Sequence, residues 1–172
     1  MCSGSQVGYE IKTNVQNATF SWKREALAGI EEPESTGTSN VINEVLTYVG
    51  TGNDQKPQDA VYEVTVTSVG CVTTQNVTVK VKPLPRVFVY GGVRESFCSG
   101  KSFEIRPSSS VHATTQYEWK MPAVEHIEGG ERNGSGDVRL TLTNTSTEKV
   151  PVSFFYTGTA DGCVGSTWEC KS

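Results

Sequence analysis

The residues best suited to covalent or metal chemistry are five cysteines: Cys2, Cys71, Cys98, Cys163 and Cys170. No Cys-x-x-Cys occurs, and neither His112 nor His126 lies at ligand spacing from a cysteine, so a zinc-site reading fails. Candidate acid–base groups are the cluster Glu31, Glu32 and Glu34, and the neighbours Glu125 and His126. Paired carboxylates act as acid and base only where burial drives their pKa values apart. The glutamates sit in a polar stretch and read as a solvated face. On a strand, Glu125 and His126 would point to opposite faces. Ser108 to Ser110 has no motif around it, and no Gly-x-Ser-x-Gly occurs. Asp54, Asp59, Asp137 and Asp161 are too dispersed for a calcium loop. The expectation is therefore no catalytic residue, no cofactor and no metal.

Composition narrows the class. Among 172 residues, hydrophobic side chains make up 35 % and charged ones 20 %, with 17 Ser, 20 Thr, 17 Gly and 7 Pro. Val and Thr dominate and helical apolar spacing is scarce, which is all-β composition. The net charge of −4 with no basic block argues against nucleic acid or an anionic membrane as partner. No apolar run is long enough to span a bilayer and no signal peptide is visible. Met1 directly before Cys2 suggests that a leader or upstream region has been removed.

The cysteines belong to a longer pattern. Cys2-Ser-Gly4, Phe20-Ser-Trp22 and Gly70-Cys71 recur as Cys98-Ser-Gly100, Tyr117-Glu-Trp119 and Gly162-Cys163. The Cys-to-Trp spacings are 20 and 21 residues, and the Trp-to-Cys spacings 49 and 44. Three signatures in one order at nearly one spacing make an internal repeat. Its copies meet at Pro83-Leu-Pro85, where two prolines that cannot donate hydrogen bonds should end one sheet before the next begins. This gives domains 1–85 and 86–172, joined by a short, semi-rigid spacer. Cysteines at repeat-equivalent places favour structural cystines in an oxidising compartment. A lipid-bearing Cys2 is disfavoured, because no lipobox precedes it and Cys98 occupies the same motif in mid-chain.

Alternation places the strands. Val7, Tyr9 and Ile11 alternate, as do Phe103 and Ile105. Residues 18–23 and 116–120 carry the tryptophans. Residues 41–48 and 137–143 come next, then 61–67 and 150–157 lead into the Gly-Cys turns. Val77, Val79 and Val81 close the first repeat, and residues 167–170 the second. Residues 29–40 and 129–136 read as loops by every local signal. Each repeat then holds six or seven short strands, an antiparallel β-sandwich pattern. The second repeat has a strand, residues 86–90, ahead of its Cys-Ser-Gly. The first lacks a counterpart, and the open edge left there is an expected weak point. Asn17, Asn76, Asn133 and Asn144 head Asn-x-Ser/Thr matches, a small excess over chance.

Together, Cys-Ser-Gly, the aromatic-x-Trp about twenty residues on, the Leu140 to Asn144 strand, Gly-Cys, Val77 to Val81 and the Pro-x-Pro exit resemble the PKD-like, Ig-like repeats of secreted and cell-surface proteins of Bacteroidota-type bacteria. The resemblance covers nearly the whole chain as two tandem copies. It departs at the missing first strand and at the ending Trp168-Glu-Cys-Lys-Ser. It implies two Ig-like (PKD-like) β-sandwiches, a secreted or cell-surface location, and a non-catalytic spacer or adhesion/protein-interaction role. Other repeats of the same array would be partners, with surface glycans or proteins as candidates. The alternative is a carbohydrate-binding module or an accessory domain of a secreted enzyme. In an Ig-like order Trp22 and Trp119 plug the cores. Trp168 is the candidate ligand platform, with Tyr48 and Tyr90 as loop aromatics. The structural disulfide candidates pair as Cys2–Cys71 and Cys98–Cys163, leaving Cys170 odd. That order also puts each pair at opposite poles, about 20 Å apart, whereas bonded cysteines need Cα atoms about 5–6 Å apart. An inter-repeat bond, or Cys170 as a partner, stays open.

Overall fold

A computed structural model describes residues 1–89 and 96–171. The chain divides into two compact units, Met1–Pro83 and Leu84–Ser172, each with its own core. The division falls inside the Pro83-Leu-Pro85 stretch.

In the first unit the strands are β1 (Ser5–Gln6), β2 (Tyr9–Glu10), β3 (Thr19–Arg24), β4 (Ser35–Gly37), β5 (Val41–Ile42), β6 (Val45–Leu46), β7 (Gln58–Ser68) and β8 (Cys71–Val81). One layer is a four-stranded sheet in the order β4-β3-β7-β8. The pairs β1-β6 and β2-β5 supply the opposing layer. Ile42 and Leu46 from that layer meet Ala60, Tyr62, Val64 and Val81 from the sheet in one core. Along β7 the burial alternates strictly from Asp59 to Val64, as period-2 side-chain geometry demands.

The second unit holds β9 (Val87–Val89), β10 (Ser102–Ile105), β11 (Pro107–Ser109), β12 (Thr115–Lys120), β13 (Ile127–Glu128), β14 (Asn133–Ser135), β15 (Val138–Thr141), β16 (Thr143–Asn144), β17 (Ser153–Ala160), β18 (Cys163–Val164) and β19 (Trp168–Lys171). The sheet β14-β12-β17 carries both β18 and β19 on the far side of β17. The pairs β10-β15, β13-β16 and β9-β11 complete the sandwich. All named strand pairs of both units are antiparallel, so the all-β sandwich expectation holds. Pro85 is no free linker residue. It is fully buried, and a side chain at Gly165 would collide with its carbonyl.

The duplicated motifs prove to be duplicated contacts. In both units the glycine of Cys-Ser-Gly has a positive φ, 78° at Gly4 and 73° at Gly100, which a side chain would oppose. The serine hydroxyl accepts a backbone hydrogen bond from the far strand, Tyr48 N to Ser3 Oγ at 2.8 Å and Asn144 N to Ser99 Oγ at 3.0 Å. Gly4 N donates to Leu46 O and Gly100 N to Leu142 O. The motif is a turn that ties the first strand to the β6-type strand.

Residues 29–40 and 129–136 differ from expectation. Each contains a three-residue edge strand, β4 or β14, paired with the tryptophan strand. The reason is a contact that local signals cannot report. Trp22 lies opposite Gly37 and Trp119 opposite Gly134. A Cβ at Gly134 would stand 2.7 Å from the Trp119 ring, and one at Gly37 would overlap the Trp22 ring. Glycine is thus required because the indole lies flat across the edge strand. Trp119 is buried in its core, whereas Trp22 packs half-buried against its own, edge-on to Tyr62 with ring centroids 5.8 Å apart. Gly134→Val should therefore destabilise the second unit by about 1–3 kcal/mol, the usual range for overpacking. Urea unfolding followed by hydrogen exchange should report this loss in the second unit alone.

Candidate functional site

The cysteines come first, since their geometry corrects an expectation. Cys71 and Cys98 are free and exposed, and Cys170 is free and buried. Cys2 and Cys163 are disulfide-bonded. Neither proposed pair, Cys2–Cys71 or Cys98–Cys163, therefore forms. Distance is the reason. Cys71 opens the eleven-residue β8, and Cys2 bridges to Lys82 just beyond its other end. At about 3.3 Å per residue the two are roughly 30 Å apart. In the second unit Cys98 lines a groove with Val150 to Val152, just before β17 begins, while Cys163 pairs with Ala160 at its end. Eight residues of β17 separate them by roughly 25 Å.

Strand register explains Cys170. Tyr62 faces Val77 in the first unit, and Phe154 faces Cys170 in the second. The odd cysteine thus holds a valine position. Burial pushes its thiol up to about 11, so it is a poor nucleophile at neutral pH.

One buried ionic group merits scrutiny, because perturbed pKa values cluster at functional sites. The Arg24 side chain is 1 % exposed. Its Nε donates to Glu44 Oε2 at 3.2 Å and its Nη2 to Glu44 Oε1 at 3.4 Å. Nη2 also donates to Pro33 O at 2.7 Å, and Nη1 to Glu25 O at 3.2 Å. The Tyr62 hydroxyl donates to Glu44 Oε2 at 2.5 Å. Burial pushes the Glu44 carboxyl up, but the hydrogen bonds from Arg24 and Tyr62 and the guanidinium charge outweigh it. The group stays below its ordinary value. Burial and the Glu44 carboxylate drive the Tyr62 phenol well above its ordinary value.

The internal repeat decides what this group is. Matching Trp22 to Trp119 and Leu46 to Leu142 puts Arg24, Glu44 and Tyr62 where the second unit has Met121, Leu140 and Phe154, all buried and apolar. The trio is a polar version of the same core plug, closed on itself and on two backbone carbonyls.

The other sequence candidates are not brought together. Glu32 accepts from Thr47 N at 2.7 Å and pins the end of β6. Burial acts to raise its carboxyl, yet that backbone bond holds it below the usual range. Glu31 and Glu34 are exposed. Glu125 and His126 sit on a turn rather than a strand, with His126 at φ 65°, so they approach to 3.6 Å at the surface. Ser110 is fully buried and accepts from Arg86 N at 3.0 Å, a purely structural bond. Asp59 pairs with Lys80 at 2.7 Å, Asp54 with Lys56 and Asp137 with Arg139. Asp161 and Gly162, both at positive φ, form the tight turn before Cys163. Asn144 Nδ2 donates to Glu148 O at 2.7 Å, so this sequon side chain is built into its loop. Among the described residues no three or more His, Cys, Asp or Glu cluster at metal-binding range.

Of the aromatic candidates, Trp168 lies half-buried on β19, packed against the core beside Tyr156 at 6.4 Å between centroids. Tyr48 is half-buried and packs against the first core. Tyr90 falls outside the described residues. Grooves open to solvent among the described residues include two of similar size. One of about 470 Å³ in the second unit is walled by Phe97, Cys98, Lys101, Ile127 and Val150. The other, about 480 Å³ in the first unit, runs past Ile11, Val15, Val66, Val69 and Cys71. Sequence reasoning missed both, since each is made by residues distant in the chain.

Arg24→Met alone should cost the first unit about 3 kcal/mol or more, because it leaves the Glu44 charge unpaired. The triple change R24M/E44L/Y62F, which copies the second unit, should recover most of that loss in urea titrations. Glu44 has a depressed folded pKa, so its stabilisation is full above the unfolded carboxyl value near about 4.3 and is lost as pH falls through the folded value. Wild-type acid unfolding should accordingly be steeper than that of Glu44→Gln. Native alkylation with iodoacetamide should label Cys71 and Cys98 within minutes and leave Cys170 unlabelled until denaturant is added, as peptide mass spectrometry would record.

A comparison with curated protein sequences returns no match. The sequence profile of the PKD-like domain matches residues 1–85 and again residues 95–171. Two profile matches over almost the whole length coincide with two sandwiches built on the same turn, the same tryptophan–glycine contact and the same hairpin, and the chain therefore belongs to the PKD-like domain family as a tandem pair.

Proposed function

We propose that the chain is a spacer segment of a larger secreted or cell-surface protein, built from two non-catalytic β-sandwich modules. PKD-like domains are generally non-catalytic modules and typically occur in extracellular proteins, and a cystine suits an oxidising compartment. The observation that carries the spacer reading is what the two copies share. Both keep the Cys-Ser-Gly tie, the tryptophan over glycine and the Gly-Cys hairpin. Among the described residues the candidate ligand platform does not recur with them: the position of Trp168 on β19 is held by Gln75 on β8. A duplicated binding function would be expected to duplicate its contact residues, whereas a duplicated scaffold need repeat only its framework.

Adhesion or protein interaction through a groove is the companion reading. A glycan platform on Trp168 has weaker support, since that ring packs beside Tyr156 instead of standing free. The deciding experiment exchanges residues 1–172 in the parent protein for an unrelated β-sandwich pair of equal length. A spacer role predicts unchanged surface display and activity of the parent. Loss of a binding activity that returns with the native segment would sink it in favour of adhesion.

A further inference from the structure

Two kinds of cysteine recur in the chain, and each keeps its backbone setting in both units. Cys2 and Cys98 open the Cys-Ser-Gly turn. Ser5 N donates to Cys2 O and Lys101 N to Cys98 O, both at 3.1 Å, and the turn passes through Gly4 and Gly100 at φ 78° and 73°. Cys71 and Cys163 open the return strand of the hairpin. Cys71 stands opposite Ser68 and Cys163 opposite Ala160, after Gly70 and Gly162 at φ 74° and 79°. Equal backbones fix equal Cβ directions, so each kind of thiol leaves its module at the same place in both copies.

Their bonding states are opposite. In the first unit the turn cysteine is bonded and the hairpin cysteine free. In the second the hairpin cysteine is bonded and the turn cysteine free. With Cys71, Cys98 and Cys170 free, the cystine joins Cys2 to Cys163. It follows a rule: the turn cysteine of one module bonds the hairpin cysteine of the module after it. The rule has a direction, because the reverse combination in the same chain, Cys71 with Cys98, is not formed. Strand length excludes the alternative, since it keeps the two cysteines of one module roughly 25–30 Å apart. Cys71 and Cys98 are exposed and within reach of another segment. Cys170 is buried and holds the place of Val77, so it stands outside the rule.

We propose that Cys71 and Cys98 are the open positions of a cystine ladder, through which consecutive PKD-like modules of one polypeptide are stapled. Cys98 takes the hairpin cysteine of a module after it, and Cys71 takes the Cys-Ser-Gly cysteine of a module before it. The partner is thus another copy of the module bearing the complementary cysteine. The precedent is internal, because the same two residues in the same backbone settings are bonded in the other repeat. Bond formation is a two-electron oxidation. One cysteine thiolate attacks a low-molecular-weight disulfide of the oxidising compartment and releases one small thiol. The second cysteine then displaces the other. Two S–H bonds are lost and one S–S bond forms, and the two electrons and two protons end on the two small thiols. The inference adds a covalent partner to the reading of the chain as a segment of a larger protein. It does not depend on whether that protein uses the segment as spacer or as adhesin.

The test is a four-module chain: residues 1–172, then residues 83–97, then residues 2–172 again. The inserted residues contain no cysteine and give the second Cys2 the same preceding residues that Cys98 has. The protein is refolded in a glutathione redox buffer, and non-reducing peptide mapping reads its cystines. The expected result is a bond from Cys98 of the first copy to Cys71 of the second, beside a Cys2–Cys163 bond in each. Free thiols counted in denaturant then fall from the six of two unlinked copies to four. Cys71→Ser in the second copy should return Cys98 of the first to the iodoacetamide-reactive pool. Amide exchange along β7 of each copy, matched to the two-module chain, reports that both copies are folded. Six free thiols in the folded chain overturn the proposal. So does a Cys71–Cys71 or Cys98–Cys98 bond, or a Cys98–Cys71 bond that forms only between separate chains and is lost on dilution. The two-module chain tests the rule without a fusion. Its cystine should map as Cys2–Cys163, and Cys163→Ser should leave Cys2 reactive. A bond from Cys2 to Cys71 in either protein overturns the rule and the ladder with it. None of these outcomes bears on the segment exchange that tests the spacer role, so the two readings fail separately.

Discussion

Each sandwich rests on an indole laid across a residue that has no side chain. A module of about 85 residues has a thin core, and one tryptophan contributes an unusually large share of its buried surface. The ring can lie flat only if the edge strand beside it offers no Cβ, which is why Gly37 and Gly134 stand opposite Trp22 and Trp119. The contact sets the register of β4 on β3 and of β14 on β12, and so turns two polar stretches into sheet edges. The remaining strands then pack outward from the tryptophan strand through β7 or β17, the longest pairings in each unit.

Once that frame is in place, the rest of the core proves tolerant. At three matched positions one unit uses Arg24, Glu44 and Tyr62, and the other Met121, Leu140 and Phe154. Both solutions fill the same space. The ionic one is viable because each guanidinium nitrogen meets a carboxylate or a backbone carbonyl, so the desolvation of two charges is offset. A perturbed titratable cluster in a PKD-like sandwich is thus a packing variant, which separates it from the acid–base sites it superficially resembles. Cys170 in a valine position follows the same logic of volume before chemistry.

The cysteine arrangement reflects the length of the strands. The cysteine of the Cys-Ser-Gly turn and the one in the Gly-Cys hairpin lie at opposite ends of an eleven-residue or eight-residue strand. No rotamer spans such a distance, so intra-unit pairing is closed off by geometry whatever the sequence spacing suggests. The two hairpin cysteines differ accordingly: Cys163 is bonded and fully buried, and Cys71 is free and exposed.

Much of this was legible in the residues. Period-2 alternation in Phe103 to Ile105 and Val61 to Val64 marks half-buried strands, because neighbouring side chains on a strand must point to opposite faces, whereas the same alternation in Val7 to Ile11 gives only the two exposed residues of β2. Positive φ at Gly4, Gly70, Gly100 and Gly162 follows from turns that a side chain would strain. The repeat itself needs only the order and spacing of three motifs. What tertiary structure alone decided concerns residues far apart in the chain. That Gly37 and Gly134 mark edge strands depends on a ring fifteen residues earlier. That Arg24 is core depends on Glu44 and Tyr62 arriving from two other strands. The pairing of cysteines depends on which strand ends meet, a property of distances in space that no one-dimensional pattern encodes.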